Sequence, residues 1–415
     1  MEKLRKIGFS KLTPLKDALD ILFSHIETND SEEIKIENAL NRILAEDVIS
    51  VIDIPPFDRS AMDGYAIKAE DSFGASPRNP QEIKLIGTIE IGEFSKLEIN
   101  KGEAIRISTG APVPESSDAI IKIEDTEIEN DSIKLYTSIV PGKNISRKGE
   151  DIKKGTLGLS KGTELKAEHI ALLTSLGFNN VKVRIKPKLS IFSSGDELIE
   201  PGAPLKPGKI YNSNTPMISA LINLYGGLVL RGETIKDDKD AIKKRLVETT
   251  EDSQIIIFTG GTSVGTKDYL PEIIEEVGTI LTHGIAMRPG SPVLLGSLSK
   301  TLIFCLPGTP VAAYVSFLRI VGPAIRKMLG CIILDPRIEI AAIINKDVPV
   351  SSLGILHYLR VKVEKERNNF IANPIKLKGS GVITSLTHSD GIIEIPPNQE
   401  GLKKGERVIV KLFPK

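Results

Sequence analysis

From about residue 178 to residue 330 the chain repeats one rhythm: a short apolar run, a loop of glycines, hydroxyls and acids, then a stretch with helical spacing. Lys188–Phe192 runs into Ser193-Ser-Gly-Asp-Glu197. Leu228–Ile235 meets Asp237 and its neighbouring acids, which open a helix to Thr249 where the dipole favours negative charge. Gln254–Thr259, the most apolar run, opens onto Gly260 and Gly261. Leu302–Leu306 ends at Pro307-Gly308 and a long apolar helix follows through Leu329. A strand apolar at every position must be covered on both faces, and strands joined through helices run parallel because only a long crossover can connect them so. The rhythm predicts a parallel α/β sheet whose ligands bind at the carboxyl ends of its strands.

The rest of the 415 residues reads differently, and a chain this long divides into two to four domains. Thr13-Pro14 has the form of a helix start, with Leu15, Ala18, Leu19, Leu22, Phe23 and Ile26 at helical spacing. A second helix is expected from about Ile36 to Glu46, and a third from Ala167 to Gly177. Between them, short β-branched segments at Glu82–Ile86, Ala119–Ile123 and Ser132–Tyr136 predict a small β domain. After Gly330, alternating runs at Arg337–Ile344, His357–Val363, Phe370–Pro374, Gly391–Ile395 and Arg407–Leu412 predict a C-terminal β barrel or sandwich. The expected division is 1–50 with 141–177, an inserted β domain over 51–140, the α/β domain over 178–330 and the last β domain over 331–415.

Composition narrows the function classes. Acidic and basic side chains balance at 54 each, which argues against a nucleic-acid protein working through a global positive field. The 2 cysteines, Cys305 and Cys331, make no disulfide framework, and the charged N-terminus has no signal-peptide core. No apolar stretch is long enough to span a membrane. The expectation is a cytoplasmic protein that binds neither membrane nor nucleic acid. The 5 histidines are scattered without zinc spacing, so a metal here is expected to be hard and oxygen-bound, such as Mg²⁺ or another divalent cation.

Chemistry concentrates in a few places. Pro55-Pro-Phe-Asp-Arg-Ser-Ala-Met-Asp-Gly-Tyr-Ala-Ile67 frames Asp58, Arg59, Ser60 and Asp63 between prolines and an Asp-Gly turn, ahead of a strand starting at Tyr65. The residues alone equally allow a solvated hairpin tip. Ser194, Gly260, Gly261 and Ser263 stand in loops at strand ends, where backbone N–H groups can surround an anion. A tight strand–helix connection is the competing reading there. Asp268 and Asp237 are candidate ligands or mere helix caps, and Glu197 is a candidate ligand or the partner of a surface lysine. Acids without a nearby histidine or cysteine nucleophile favour metal-assisted chemistry on a phosphate or oxyanion. Arg288 supplies fixed positive charge, and Thr109 a hydroxyl or a turn.

The Pro55–Ala66 segment resembles the signature of the MoeA/gephyrin family, the molybdopterin molybdenumtransferases. The resemblance continues in Arg42–Asp47, Arg106-Ile-Ser-Thr-Gly-Ala-Pro-Val-Pro114, Lys148-Gly-Glu-Asp151, Ser194–Leu198, Gly260–Gly265 with Asp268, Ala286–Gly290 and Leu306–Gly308, nearly the whole chain in family order. It implies a multidomain α/β plus β protein: a central parallel α/β (MogA-like) molybdopterin-binding domain, an inserted small β domain and a C-terminal β barrel or sandwich. It implies exchange of AMP for molybdate on adenylylated molybdopterin, dependent on a divalent metal, in a homodimer dimerised through its N-terminal region. The adenylyltransferase of the same pathway is a possible partner. By resemblance Asp63, Asp151, Glu197, Asp237 and Asp268 are catalytic, with Asp237 and Asp268 also metal ligands. Thr109, Arg288, Ser291, Arg360 and Ser380 bind substrate, the arginines and Ser380 at the oxyanion. The chain departs from the family where Ser291 and Gly284 replace lysines, Thr309 an asparagine and Ala312 a serine. Those departures predict a weakened oxyanion pocket unless another lysine fills the gap; Lys267 and Lys122 have no place assigned by the sequence. Insertion of another oxyanion such as tungstate, or a non-catalytic dimeric scaffold, are the alternatives.

Overall fold

The computed structural model describes residues 12–260, 269–375, 379 and 381–414. Among them, three six-stranded sheets organise the chain.

The central sheet has the order Leu228–Ile235, Lys188–Ser194, Ile255–Thr259, Thr301–Leu306, Leu294–Leu298, Thr279–His283. Side chains alternate along each strand into two cores. Ile255, Ile257, Phe304 and Leu306 face one core, with Ile218, Ile222 and Val311. Ile256, Phe258, Ile303 and Cys305 face the other, with Ile242, Leu246 and Ile273. The helices Asn214–Leu224 and Pro310–Ser316 therefore cover one face, and Lys239–Thr249 and Leu270–Val277 the other. The first four strands are parallel, as the rhythm requires, but the last two pairings are antiparallel because Leu294–Leu298 runs opposite to both its neighbours. The reason is local. Leu298 pairs with Thr301 across a two-residue turn in which Ser299 takes a φ of 55°. So short a connection can join only antiparallel strands.

The inserted sheet runs Ala119–Lys122, Gly64–Ile67, Glu103–Ile107, Gln81–Ile89, Ser132–Leu135, Thr126–Glu129. Gly64 pairs with both Ile107 and Lys122, and a Cβ there would lie 1.9 Å from the Ile121 carbonyl oxygen. Only glycine lets the strands approach so closely.

Two helix expectations need correction. The helix Leu15–Ser24 forms and buries Leu15, Ala18 and Leu22. Thr13, however, does not cap it. Its N–H donates to Gly284 O at 3.0 Å and its carbonyl accepts from Ala286 N at 2.8 Å, pinning the chain beside Ile285. Between Ile36 and Glu46 only a short 3₁₀ turn, Ile36–Asn38, appears. There the backbone donors of Asn41, Leu44 and Ala45 go to Leu165, Thr163 and Lys182. Donors spent on distant segments cannot also close helical turns.

The C-terminal strands close as a barrel: Leu356–Glu366 pairs with both Asn369–Pro374 and Gly391–Ile395. Met287–Arg288, from the central region, adds to this sheet by parallel pairing with Leu356 and His357. That pairing joins the two regions and sets the position of the site described next. No helix among the described residues is long and apolar enough to cross a membrane.

Candidate functional site

Three neighbouring strand ends converge on one point. Gly260 ends Ile255–Thr259 with a φ of 92° and donates its N–H to Leu306 O at 3.2 Å. A Cβ on Gly260 would lie 2.5 Å from Ser194 O, and one on Gly308 would lie 3.4 Å from Gly260 Cα. Ser194, Gly260 and Gly308 thus form one floor, and any side chain at 260 would obstruct it. Asn214, opening the helix Asn214–Leu224, donates to Gly308 O at 2.8 Å and ties a helix N-terminus to that floor. Beneath it Ser193 Oγ bonds Thr215 Oγ1 and Thr259 Oγ1, each at 2.8 Å, a buried hydroxyl network that sequence reasoning did not single out. Gly261, Ser263, Lys267 and Asp268 lie outside the described residues.

Two acids rim this floor. Glu197 is exposed, and its carboxylate folds back so that a Cβ on Gly195 would meet its oxygens at 2.8 Å. It forms no ion pair with a described lysine, which removes the surface-pair reading among those residues. Asp237 follows Leu228–Ile235 and is half-buried. The cap of the next helix is its neighbour Asp238, whose Oδ1 accepts from Ala241 N at 2.9 Å. Among the described residues no three acids, histidines or cysteines group as a metal site. The donors present are carboxylate oxygens, which suit a hard cation, and Mg²⁺ needs only one or two of them when phosphates complete its shell.

Beside the floor, where Met287–Arg288 joins the barrel, lies a cleft of about 1020 Å³. Arg288, Ser291, Thr309, Ala312, Lys346 and Arg360 are among its lining residues. Both arginines expected at an oxyanion site are therefore brought to one cavity. Arg288 Nη1 donates to Ser351 Oγ at 2.6 Å, which fixes its head. Arg360 is half-buried, and burial pushes its pKa down from the ordinary arginine value, as expected for a cation taken partly out of water. Ser291 is not a free donor, since its hydroxyl donates to Met287 O at 2.6 Å. Ser380 lies outside the described residues.

A third cluster stands on the inserted sheet. Asp63 Oδ1 accepts from Thr109 N at 2.7 Å and from Thr109 Oγ1 at 2.8 Å. The Thr109 backbone N–H first, then its hydroxyl, hold the Asp63 carboxyl below the ordinary carboxylate range. Thr109 therefore positions Asp63, and both are exposed. Asp58 takes Arg147 Nη1 at 2.6 Å and Lys148 N at 2.8 Å, tying the Pro55–Ile67 loop to the segment that carries exposed Asp151. Lys122 pairs with Gly64 and belongs here, away from the cleft. None of the cleft-lining residues precedes Arg288, so Asp63, Thr109 and Asp151 do not line this cleft. Lys346 and His357, also in the cleft, carried no sequence signal; strand pairing alone brings them to Arg288.

Comparison with known proteins gives a consistent result along the chain. Residues 13–177 match the MoeA N-terminal region (domain I and II), residues 190–327 a molybdopterin binding domain, and residues 350–413 the MoeA C-terminal region (domain IV). A molybdopterin molybdenumtransferase of Staphylococcus epidermidis is 35% identical over 417 residues, covering 98% of this chain and 97% of its own. That of Staphylococcus aureus is 35% identical over 400 residues, covering 96% of this chain and 95% of its own. A crystal structure of the molybdopterin biosynthesis moeA protein from Pyrococcus horikoshii superposes with a TM-score of 0.86 at 35% identity, over 97% of this chain and 100% of that one.

Proposed function

The chain belongs to the MoeA family, and from that premise we propose that it inserts molybdate into adenylylated molybdopterin, releasing AMP and the molybdenum cofactor. The observation that carries the reading is one geometry: a glycine floor at three strand ends beside a cleft holding Arg288 and Arg360. The floor suits a phosphate, because Gly260 leaves backbone room and helix N-termini favour negative charge. The cleft suits the second anion, because planar guanidinium groups give several N–H donors to a tetrahedral oxyanion.

The proposed roles draw on position for the described residues and on the family resemblance for Gly261, Ser263, Asp268 and Ser380. Ser194, Gly260, Gly261 and Ser263 hold the phosphates; Arg288, Arg360, Ser380 and the wall at Ser291 hold the oxyanion. Asp237 and Asp268 are the pair proposed to hold a divalent cation such as Mg²⁺. When bound, that cation would neutralise phosphate charge that the carboxylates alone would repel. Glu197 orients the substrate from the rim. Asp63, kept ionised by Thr109, and Asp151 are proposed to act across a homodimer interface, one copy's surface closing over the strand ends of a second copy. The proposed setting is the cytoplasm, with the adenylyltransferase of the pathway as supplier of substrate.

The test is AMP release from adenylylated molybdopterin, followed with molybdate, with tungstate and with neither. Release that requires Mg²⁺ and one of the oxyanions supports the reading. No release with either anion, or release indifferent to both, refutes it.

A further inference from the structure

The cleft that holds Arg288 and Arg360 contains a third basic side chain, Lys346, from a different part of the chain. Lys346 follows the barrel strand Glu339–Ile344. Its neighbours are both fastened. Asn345 donates its N–H to Ala372 O at 3.2 Å and its side-chain amide to Asn373 Oδ1. Asp347 Oδ1 accepts from Lys404 N at 2.8 Å. That bond engages the carboxylate adjacent in sequence with a backbone amide, and Lys346 forms no ion pair with any described acid. The facing wall is poor in donors. The Ser291 hydroxyl proton is committed to Met287 O, and Ala312 has none to give.

We infer that Lys346 is the lysine of the oxyanion site, closing with Arg288 and Arg360 on a tetrahedral dianion in place of a cation at position 291. The inference rests on the oxyanion reading proposed above. Among the described lining residues, three cations stand against the single carboxylate of Asp347, the net positive charge a dianion needs. The side chain is exposed and flexible, so it can fold onto the anion as it enters.

The experiment is calorimetric titration of the full chain with sodium molybdate and sodium tungstate. Lys346→Gln is expected to weaken binding of the preferred anion about tenfold or more, the scale of one hydrogen bond to a charged group. Lys346→Arg should retain binding, and Ser291→Lys added to Lys346→Gln should recover it from the opposite wall. Lys346→Gln and Lys346→Arg should melt as the wild type does, since residue 346 is exposed, and the melting curve of the double variant is the control for the lost Ser291 bond to Met287 O. Wild-type affinity in Lys346→Gln, together with a loss in Arg288→Gln, overturns the role of Lys346 and leaves the oxyanion site standing. No heat of binding for either anion in the wild type overturns the site and the inference together.

Discussion

Removing the Asp335 carboxylate is expected to destabilise the protein more than removing its closest cation. Asp335 accepts from Arg337 Nε and Nη2, both at 2.8 Å, and from Arg319 Nη1 at 3.1 Å. Lys411 Nζ stands 3.7 Å away, and Glu394 shares the same three cations. The Arg337 side chain is 0% exposed and Asp335 is 26% exposed. Two partly buried carboxylates therefore face three cations, and a third, the exposed Glu339, reaches only Lys411, at 3.3 Å. Asp335→Ala leaves Arg319 and Arg337 with Glu394 alone, while Lys411 keeps Glu339, and a fully buried guanidinium is stripped of its hydrogen-bonded acceptor. Breaking a buried pair from one side costs roughly 3–5 kcal/mol, and the partial exposure of Asp335 argues for about 3 kcal/mol, the lower end of that range. Arg337→Met leaves both carboxylates facing Arg319 and Lys411, so only about 1–2 kcal/mol is expected. Urea unfolding of both variants measures the order. The pH dependence gives a second readout. Burial pushes the Asp335 carboxyl up, but the Arg337 hydrogen bond and charge, with Arg319 and Lys411, more than offset this and hold it below its ordinary 3.8. A folded-state value below the unfolded one means stabilisation that is complete above about pH 4 and lost as pH falls through the folded value. The gap between wild type and Asp335→Ala should therefore narrow below about pH 4. A larger cost for Arg337→Met, or a gap that widens in acid, refutes this account.

Other outcomes follow from the site. Asp63→Asn keeps shape but removes an exposed charge, so AMP release should fall about a hundredfold with an unchanged melting curve; full activity would remove Asp63 from the chemistry. Asp237→Asn should raise the Mg²⁺ concentration needed for half-maximal AMP release, and an unchanged Mg²⁺ dependence would mean the cation is held elsewhere. Gly260→Ala places a Cβ 2.5 Å from Ser194 O at a φ of 92°. It should cost about 1–3 kcal/mol of strain and weaken substrate binding, both measurable by melting and by substrate titration; a neutral result would show that the floor yields.

Much of this protein is written locally. Ile255–Phe258 reads as a strand covered on both faces, because each residue is apolar and β-branched or aromatic; the two cores against its faces follow. Asp63-Gly64 foretells a turn into a strand, and the glycine proves necessary because the Ile121 carbonyl leaves no room for a side chain. Arg288 is suggested by the contiguous segment Ala286–Gly290 that resembles a family, whereas Arg360 stands in a β domain with no such distinctive run. What sequence could not supply lies in pairings between distant segments. Ile36–Glu46 has helical spacing, yet bonds to residues 163–165 and 182 claim its donors. Thr13 looks like a cap, yet the 284–286 backbone offers it two partners. Lys346 has no motif around it, and it lines one cleft with Arg288 where Met287–Arg288 adds to a strand of the barrel. Periodicity reports which face of a segment is apolar. Only the folded chain decides which backbone group each N–H will find, and those choices bring residues far apart in sequence to one cavity.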